Sequence, residues 1–122
     1  MTPIPPDVAA AIVAAGHTVQ VNAEGAWLWS RGELRELPSW RITVGDGYGR
    51  GATARAATLD ALARLAASET EREGKCRAEA KRVRLPYRKA QETERAEAAA
   101  KRAADMRALA AQVAAMWPEV GT

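Results

Sequence analysis

The hydrophobic residues in the first 67 positions recur with two different periods. Near the start, Val8, Ile12 and Val13 follow helical spacing, which predicts a helix over residues 6–15. Proline in the first turn and Gly16 after the last turn favour these ends. Proline fits the start of a helix, and glycine accepts the left-handed backbone that often ends one.

Apolar and polar residues then alternate in three segments, as they do in half-buried strands. Turn-forming residues separate the segments at Asn22–Gly25 and at Arg31–Gly32. The glycine-rich segment Gly45–Gly51 is expected to be a flexible loop that follows the third strand. We expect a three-stranded antiparallel sheet with one face formed by Val19, Val21, Trp27, Trp29, Trp40, Ile42 and Val44.

The chain after Thr53 is rich in alanine, glutamate, arginine and lysine, which favour helix. Thr53 itself is predicted to cap a helix that carries three leucines at helical spacing. The whole pattern predicts an α+β fold. Residues 1–67 would form an α-β-β-β-α unit, and residues 68–122 a long helical hairpin that packs back on it.

The sequence offers two places where the helical half could turn. Gly74 and Pro86 both interrupt the helical composition. A turn at Pro86 would bring the leucines between positions 59 and 65 opposite apolar residues between 106 and 113, because the two sets lie at nearly equal distances from it. We therefore expect the turn at Pro86. A turn at Gly74, a single bent helix and helix pairing between two copies of the chain are the alternatives.

Composition limits both the core and the chemistry. The 122 residues include 29 alanines and no phenylalanine, so large apolar side chains are few. His17 and Cys76 are the single histidine and cysteine, and neither has a catalytic or metal-binding partner near it in sequence. Surface ion pairs account for most of the acids, which lie in the helical half. We expect a protein without catalytic activity, metal or cofactor.

One glycine motif needs separate consideration. The spacing Gly47-x-Gly49-x-x-Ala52 matches the fingerprint of dinucleotide-binding proteins. That motif requires parallel strands and an acid at the end of a second strand, whereas the strands predicted here are antiparallel. The glycines are therefore expected to let the chain turn tightly onto the sheet.

Two features bear on location. No apolar run reaches the length of about 18 residues that a membrane-spanning helix requires. A lone cysteine excludes an intramolecular disulfide, which suits a reducing compartment. We expect a cytoplasmic protein that does not enter a membrane.

Positive charge is concentrated in one window of the chain. The formal charge of the whole chain is +3, whereas residues 75–89 hold seven cations and one acid, a charge of +6. Arg82, Arg84 and Lys89 have no acid four residues away with which to pair on a helix. Such charges are available to an anionic partner. The candidate contact residues are Lys75, Arg77, Lys81, Arg82, Arg84, Tyr87, Arg88 and Lys89, and a second candidate surface comprises Tyr48, Arg50 and Arg55.

Two segments carry a resemblance to double-stranded RNA-binding domains. They are Trp40-Arg-Ile-Thr-Val44, followed by the glycine loop, and Gly49-x-Gly51-x-Thr53-x-Arg55-x-Ala57-x-x-x-Ala61-Leu62. They resemble the last strand and second helix of that family, whose α-β-β-β-α order agrees with the prediction for residues 6–67. The lysines with which the family contacts RNA correspond here to Ala54, Arg55 and Thr58, so the resemblance leaves only Arg55 for that role.

The same helix entry after a tryptophan-bearing strand is similar to small α/β sandwich proteins of bacteriophages. That resemblance implies a mobile-element protein that acts in the bacterial host cytoplasm, for instance as an inhibitor of a host defence system of the anti-CRISPR kind. Together with the basic window, it leads us to expect non-catalytic binding of a host protein or nucleoprotein, in mimicry of or competition with nucleic acid. Direct nucleic-acid binding is the alternative.

Overall fold

A computed structural model of the chain describes residues 4–30 and 33–118, with the backbone alone for residues 23–30 and 33–39. A short helix leads into three antiparallel strands, and two long helices follow. This arrangement is the α+β fold predicted from the sequence. Its elements are α1 (Pro6–Ala14), β1 (Val19–Ser30), β2 (Glu33–Val44), β3 (Gly47–Gly51), α2 (Ala54–Arg82) and α3 (Pro86–Met116).

The sheet has the strand order β1-β2-β3, and its two strand pairs differ in length. β1 pairs with β2 along its whole length, from Val19 opposite Val44 to Ser30 opposite Glu33. β3 pairs only with the segment Trp40–Val44. The sheet is therefore three strands wide at one end and two strands wide at the other.

The predicted turn at Asn22–Gly25 is wrong, because these residues lie inside β1. Each of them has a partner in β2, and Gly25 lies opposite Pro38. No strand was predicted for the residues just before Trp40, which include Pro38. Pro38 lies where β2 has one neighbouring strand instead of two, and a strand tolerates proline at such an edge position. The first two predicted strands are thus one strand, and the third is the end of β2.

The predicted flexible loop Gly45–Gly51 is also wrong, because most of it is β3. Its glycines allow α2 to lie directly on the strand. A β-carbon on Gly49 would overlap the backbone of Ala57 and Ala61, and one on Gly51 would lie 2.8 Å from the nitrogen of Ala57. Side chains are absent here because the helix backbone occupies their space.

Two helix ends follow the sequence predictions closely. Gly16 has a φ of 93° after α1, and the amides of Gly16 and His17 donate to the carbonyls of Val13 and Ile12. These two bonds satisfy the last carbonyls of the helix. At the start of α2, the hydroxyl of Thr53 accepts a hydrogen bond from the amide of Ala56 at 3.1 Å, as an N-cap does.

The helical hairpin turns where the sequence predicted. α2 continues through residue 67 and through Gly74 and ends at Arg82, and α3 begins at Pro86. Gly74 is exposed, and a β-carbon there would meet nothing within 4 Å. A single glycine does not end a helix whose other residues favour helix so strongly. Pro86 has no backbone N–H with which to continue the helical hydrogen bonds.

One buried cluster joins the sheet to all three helices. Ile42 and Val44 are fully buried, and Val19, Val21 and Trp40 pack against the cluster as partly buried residues of the predicted face. The placement predicted for the side chains of residues 27 and 29 lies outside the described residues. The helices contribute the other members: Ile4, Val8, Ile12, Ala57, Ala61, Leu62, Ala66, Met106, Leu109 and Val113.

Candidate functional site

The turn of the hairpin carries both cationic and apolar side chains on its surface. We call residues 81–89 the hairpin tip. Leu85 is 63% exposed and Tyr87 is 75% exposed, which makes them two of the most exposed large apolar residues in the described chain. Lys81, Arg84 and Arg88 are exposed beside them. These residues are close together in the sequence, and the turn places them together at one end of the hairpin.

Two cations of the hairpin tip have partners that the four-residue spacing did not reveal. Arg82 binds Glu79 through two hydrogen bonds, of 2.9 Å from Nε and 2.6 Å from a terminal nitrogen. The acid lies three residues away, a spacing that also places two side chains on the same helical face. Lys89 donates to the backbone carbonyl of Ala80 at 2.9 Å, across the turn. The expectation that both residues lack local partners is therefore wrong.

The remaining cations of the hairpin tip are not held by carboxylates. Within the described residues, Lys81, Arg84 and Arg88 form no ion pair. Arg88 acts only at longer range: the pKa of Glu79 is lowered mainly by its hydrogen bonds to Arg82, with a smaller contribution from the charge of Arg88. Those same hydrogen bonds raise the pKa of Arg82. Three cations thus remain available on a surface where only one acid is engaged.

Helix stability accounts for some of these charges and not for others. Lys81 and Arg82 lie in the last turn of α2, where the negative end of the helix dipole favours cations. Arg88 lies in the first turn of α3, which contains no acid and has no side-chain cap. The positive end of the dipole disfavours a cation there. The charge at the start of α3 therefore opposes local stability.

Lys75 and Arg77 lie further back on α2 and are paired on their own helix. Lys75 contacts Glu71 at 3.3 Å, and Arg77 contacts Glu73 at 2.8 Å. Arg77 also borders a shallow hollow of about 350 Å³ between the two helices. Its lining contains no acid: Arg77, Ala80, Lys81, Lys89 and Thr93.

The second predicted surface is divided by the structure. Tyr48 and Arg50 lie on β3, on the opposite face of the strand from the glycines that touch α2. Arg55 instead lies at the start of α2, where its Nε donates to the backbone carbonyl of Trp117. Arg55 thus ties the beginning of α2 to the end of α3.

Sequence reasoning missed two of the arginines around Tyr48. Arg41 lies 4.6 Å from the centre of the Tyr48 ring, and Arg50 and Arg64 each lie 5.6 Å from it. Asp60 accepts hydrogen bonds from the amide of Arg50 and from Nε of Arg64. Arg41 is adjacent to Tyr48 through the pairing of β2 with β3, and no pattern along the chain indicated that Arg64 would reach the ring.

A groove of about 940 Å³ lies where the hairpin leaves the sheet, and no pattern along the chain predicted it. The α1–β1 turn and the β2–β3 turn form one wall, joined by a hydrogen bond from the amide of Gly45 to the carbonyl of Thr18. α2 and α3 form the other wall. His17 lines this groove, whereas Cys76 is partly buried in α2.

Comparison of the chain with protein family models, with curated protein sequences and with solved structures found no match. The functional argument therefore rests on the side chains themselves. In the part of the chain that the structure describes, no group of three or more histidine, cysteine or acidic residues is arranged to hold a metal ion. None of the described helices has the length and hydropathy to cross a membrane.

Proposed function

We propose that the chain is a non-catalytic binding protein that contacts a host protein or nucleoprotein through its hairpin tip. The main support is the position of Arg88, a cation in the first turn of α3, where the dipole disfavours it and no acid of the described residues forms an ion pair with it. Arg84 and Lys81 add two more cations without ion pairs in the described chain. The helix dipole accounts for Lys81 but for neither Arg84 nor Arg88, and contact with an anionic surface would account for both.

The apolar residues of the hairpin tip favour a protein surface over nucleic acid alone. Tyr87 could stack on a base, but a leucine side chain offers neither a ring nor a hydrogen bond to nucleic acid. The exposed Leu85 instead suits a contact that buries apolar area within a polar, charged surround, as protein interfaces do. Acidic residues around an apolar pocket would complement the tip.

The length of the hairpin gives the tip its reach. About 16 residues of α2 lie between Ala66, the last member of the buried cluster on that helix, and Arg82. At 1.5 Å per residue they extend the tip by about 24 Å. A basic projection of this kind could occupy a cleft or mask an acidic surface. As a phage or mobile-element protein in a bacterial cytoplasm, the chain would act in this way to inhibit a host defence complex.

The test is capture of proteins from a bacterial lysate, with and without nuclease treatment, with three forms of the tagged chain. The tip variant replaces Lys81, Arg84 and Arg88 by glutamine. The control variant replaces Arg95, Lys101 and Arg107, which lie further along α3, also by glutamine. Both sets of changes remove three cations and take the formal charge from +3 to 0, so any difference between them reports on position.

We expect the parent and the control variant to retain the same protein and the tip variant to lose it. Retention by the tip variant would place the contact elsewhere. If capture disappears with nuclease for all three forms, the alternative of direct nucleic-acid binding is favoured. Direct nucleic-acid binding would appear as an affinity for oligonucleotides that falls steeply as the salt concentration rises. The tip variant should then show a weaker dependence of that affinity on salt.

A further inference from the structure

The groove beside the sheet has the dimensions of a ligand site and lies apart from the hairpin tip. Its volume of about 940 Å³ is near the upper end of the range for small-molecule sites, roughly 300–1,000 Å³. Small residues line the turn wall, among them Gly16, Gly45 and Gly47. The space therefore exceeds what a single inorganic ion would occupy.

Three arginines from the two helices line the groove with unused hydrogen-bond donors. Arg102 engages Glu69 through Nε at 3.0 Å, and Arg72 engages the same carboxylate through one terminal nitrogen at 3.2 Å. Arg64 engages Asp60 through Nε. Within the described residues, the terminal nitrogens of Arg64 and of Arg102 have no hydrogen-bond partner. A guanidinium presents such a pair as a fork that fits phosphate or carboxylate.

The carboxylates that pair with these arginines hold each of them in place and leave part of its side chain exposed. Each guanidinium is held along one edge, while the side chains of Arg64 and Arg102 remain 57% and 49% exposed. Asp105, a further acid of the lining, contacts Lys101 at 3.6 Å. The two forks are thus positioned by contacts that leave their outer edges open.

An aromatic ring lies beside one of the forks. Tyr48 lines the groove, is 39% exposed, and has the guanidinium of Arg64 at 5.6 Å from its ring centre. Leu65 and Met106 add apolar surface to the same lining. Arg41 and Arg50 also lie over this ring, so a ligand that combines a flat ring with an anionic group would take the place of one guanidinium on Tyr48 and meet a fork in the same site.

We propose that this groove binds a nucleoside phosphate, with the phosphate on Arg64 and Arg102 and the base against Tyr48. Asp46, on the turn wall, has no ion pair among the described residues and is an acceptor for the hydroxyls or amino group of the ligand. The proposal does not depend on the hairpin tip, because none of the residues that carry it belongs to residues 81–89.

The experiment is isothermal titration of the full chain with 5′-AMP, adenosine and inorganic phosphate at low salt. We expect 5′-AMP to bind at least tenfold more tightly than either of its parts. Replacing Arg102 by glutamine should weaken the binding of both 5′-AMP and phosphate by about tenfold, the effect of losing a charge-assisted hydrogen bond. Replacing Tyr48 by alanine should weaken the binding of 5′-AMP by about tenfold and leave the binding of phosphate unchanged.

Arg95→Gln is the matched control, since it removes the same charge from the same helix at a residue paired with Glu92 and outside the groove. Its affinity for 5′-AMP should equal that of the parent, and circular dichroism should show that all variants fold. The proposal is overturned if 5′-AMP does not bind at millimolar concentration, if phosphate binds as tightly as 5′-AMP, or if Arg95→Gln weakens binding as much as Arg102→Gln. Partner capture by the tip variant tests the proposed function separately.

Discussion

The molecule has two parts that are stabilised in different ways. The body comprises α1, the sheet and the ends of α2 and α3 that pack on it, and the arm comprises residues 67–105 of the hairpin. In the body, Ile12, Leu62 and Val113 are fully buried, and β3 touches the backbone of α2. In the arm, the buried side chains on α3 are mainly alanines, at positions 96, 99 and 103.

The arm depends on helix propensity and on contacts at its surface. Ion pairs three or four residues apart run along α2, and one pair, Arg102 with Glu69, crosses to the other helix. A hydrogen bond of 2.7 Å from Arg107 to Thr70 crosses near the base of the arm. Each such exposed pair contributes little, roughly 0–1 kcal/mol. The comparison teaches that the body fixes the fold, while the outer surface of the arm is free to vary for binding.

The largest expected effect is the difference in stability between a substitution in the body and a substitution in the arm. Leu62→Ala in the body should lower the free energy of unfolding by about 3 kcal/mol, within the usual range of 2–5 for a buried leucine. Leu85→Ala at the hairpin tip should change it by no more than about 0.5 kcal/mol, because the side chain is exposed. Urea denaturation measures both, and equal losses would contradict the division into body and arm.

A second pair of variants uses glycine. Gly49→Ala should destabilise the protein by about 2 kcal/mol, because the added methyl group would meet the backbone of Ala57 and Ala61, which cannot rotate away as a side chain can. Thermal unfolding followed by circular dichroism is the measurement. An unchanged melting temperature would show that α2 does not lie directly on β3.

Gly74→Ala is the counterpart in the arm and should have the opposite sign. Gly74 lies within α2, and a β-carbon there meets nothing within 4 Å. The substitution should stabilise the helix by up to about 1 kcal/mol, the difference in helix propensity between the two residues. Destabilisation would indicate that the arm is packed more closely at this position than its exposure implies.

These glycines also show which parts of the fold the sequence could predict. Helix ends carry local chemistry, so Gly16 and Thr53 were enough to place two of them, whereas Pro86 was preferred over Gly74 because a turn there also matches the apolar residues of the two helices. The role of Gly49 depends on a helix that approaches from elsewhere in the chain, and a local pattern of glycines resembles a loop. The segment Asn22–Gly25 resembled a turn for the same reason, since its pairing partners lie in β2, more than ten residues further along the chain.

The candidate sites differ in the same respect. The basic window is contiguous in sequence, so its residues could be named before the turn that gathers them was known. The groove draws on two turns and two helices, and Arg64 and Arg102 lie 38 positions apart. Only the hairpin geometry brings them together, and no spacing along the chain indicates that.

The smallest expected effect concerns the electrostatics of the arm alone. The pKa of Glu79 lies below its ordinary value of 4.5, mainly because Arg82 donates hydrogen bonds to the carboxylate. A carboxyl group whose pKa is lowered by folding stabilises the folded state at pH values above its unfolded pKa. That contribution is lost as the pH falls through the folded value. The interaction therefore acts at neutral pH and disappears in acid.

Arg82→Gln should return the pKa of Glu79 toward 4.5, as read from a carbon-13 NMR titration of the side-chain carboxyl group. Arg84→Gln removes an equal charge from a neighbouring residue that does not pair with Glu79, and it should leave the titration almost unchanged. Because Arg82 is exposed and Glu79 only partly buried, neither variant should alter the urea midpoint as Leu62→Ala does. Equal shifts of the Glu79 titration in both variants would mean that the diffuse charge of the hairpin tip, and not the hydrogen-bonded pair, sets its pKa. Arg82 would then count among the cations available to a partner.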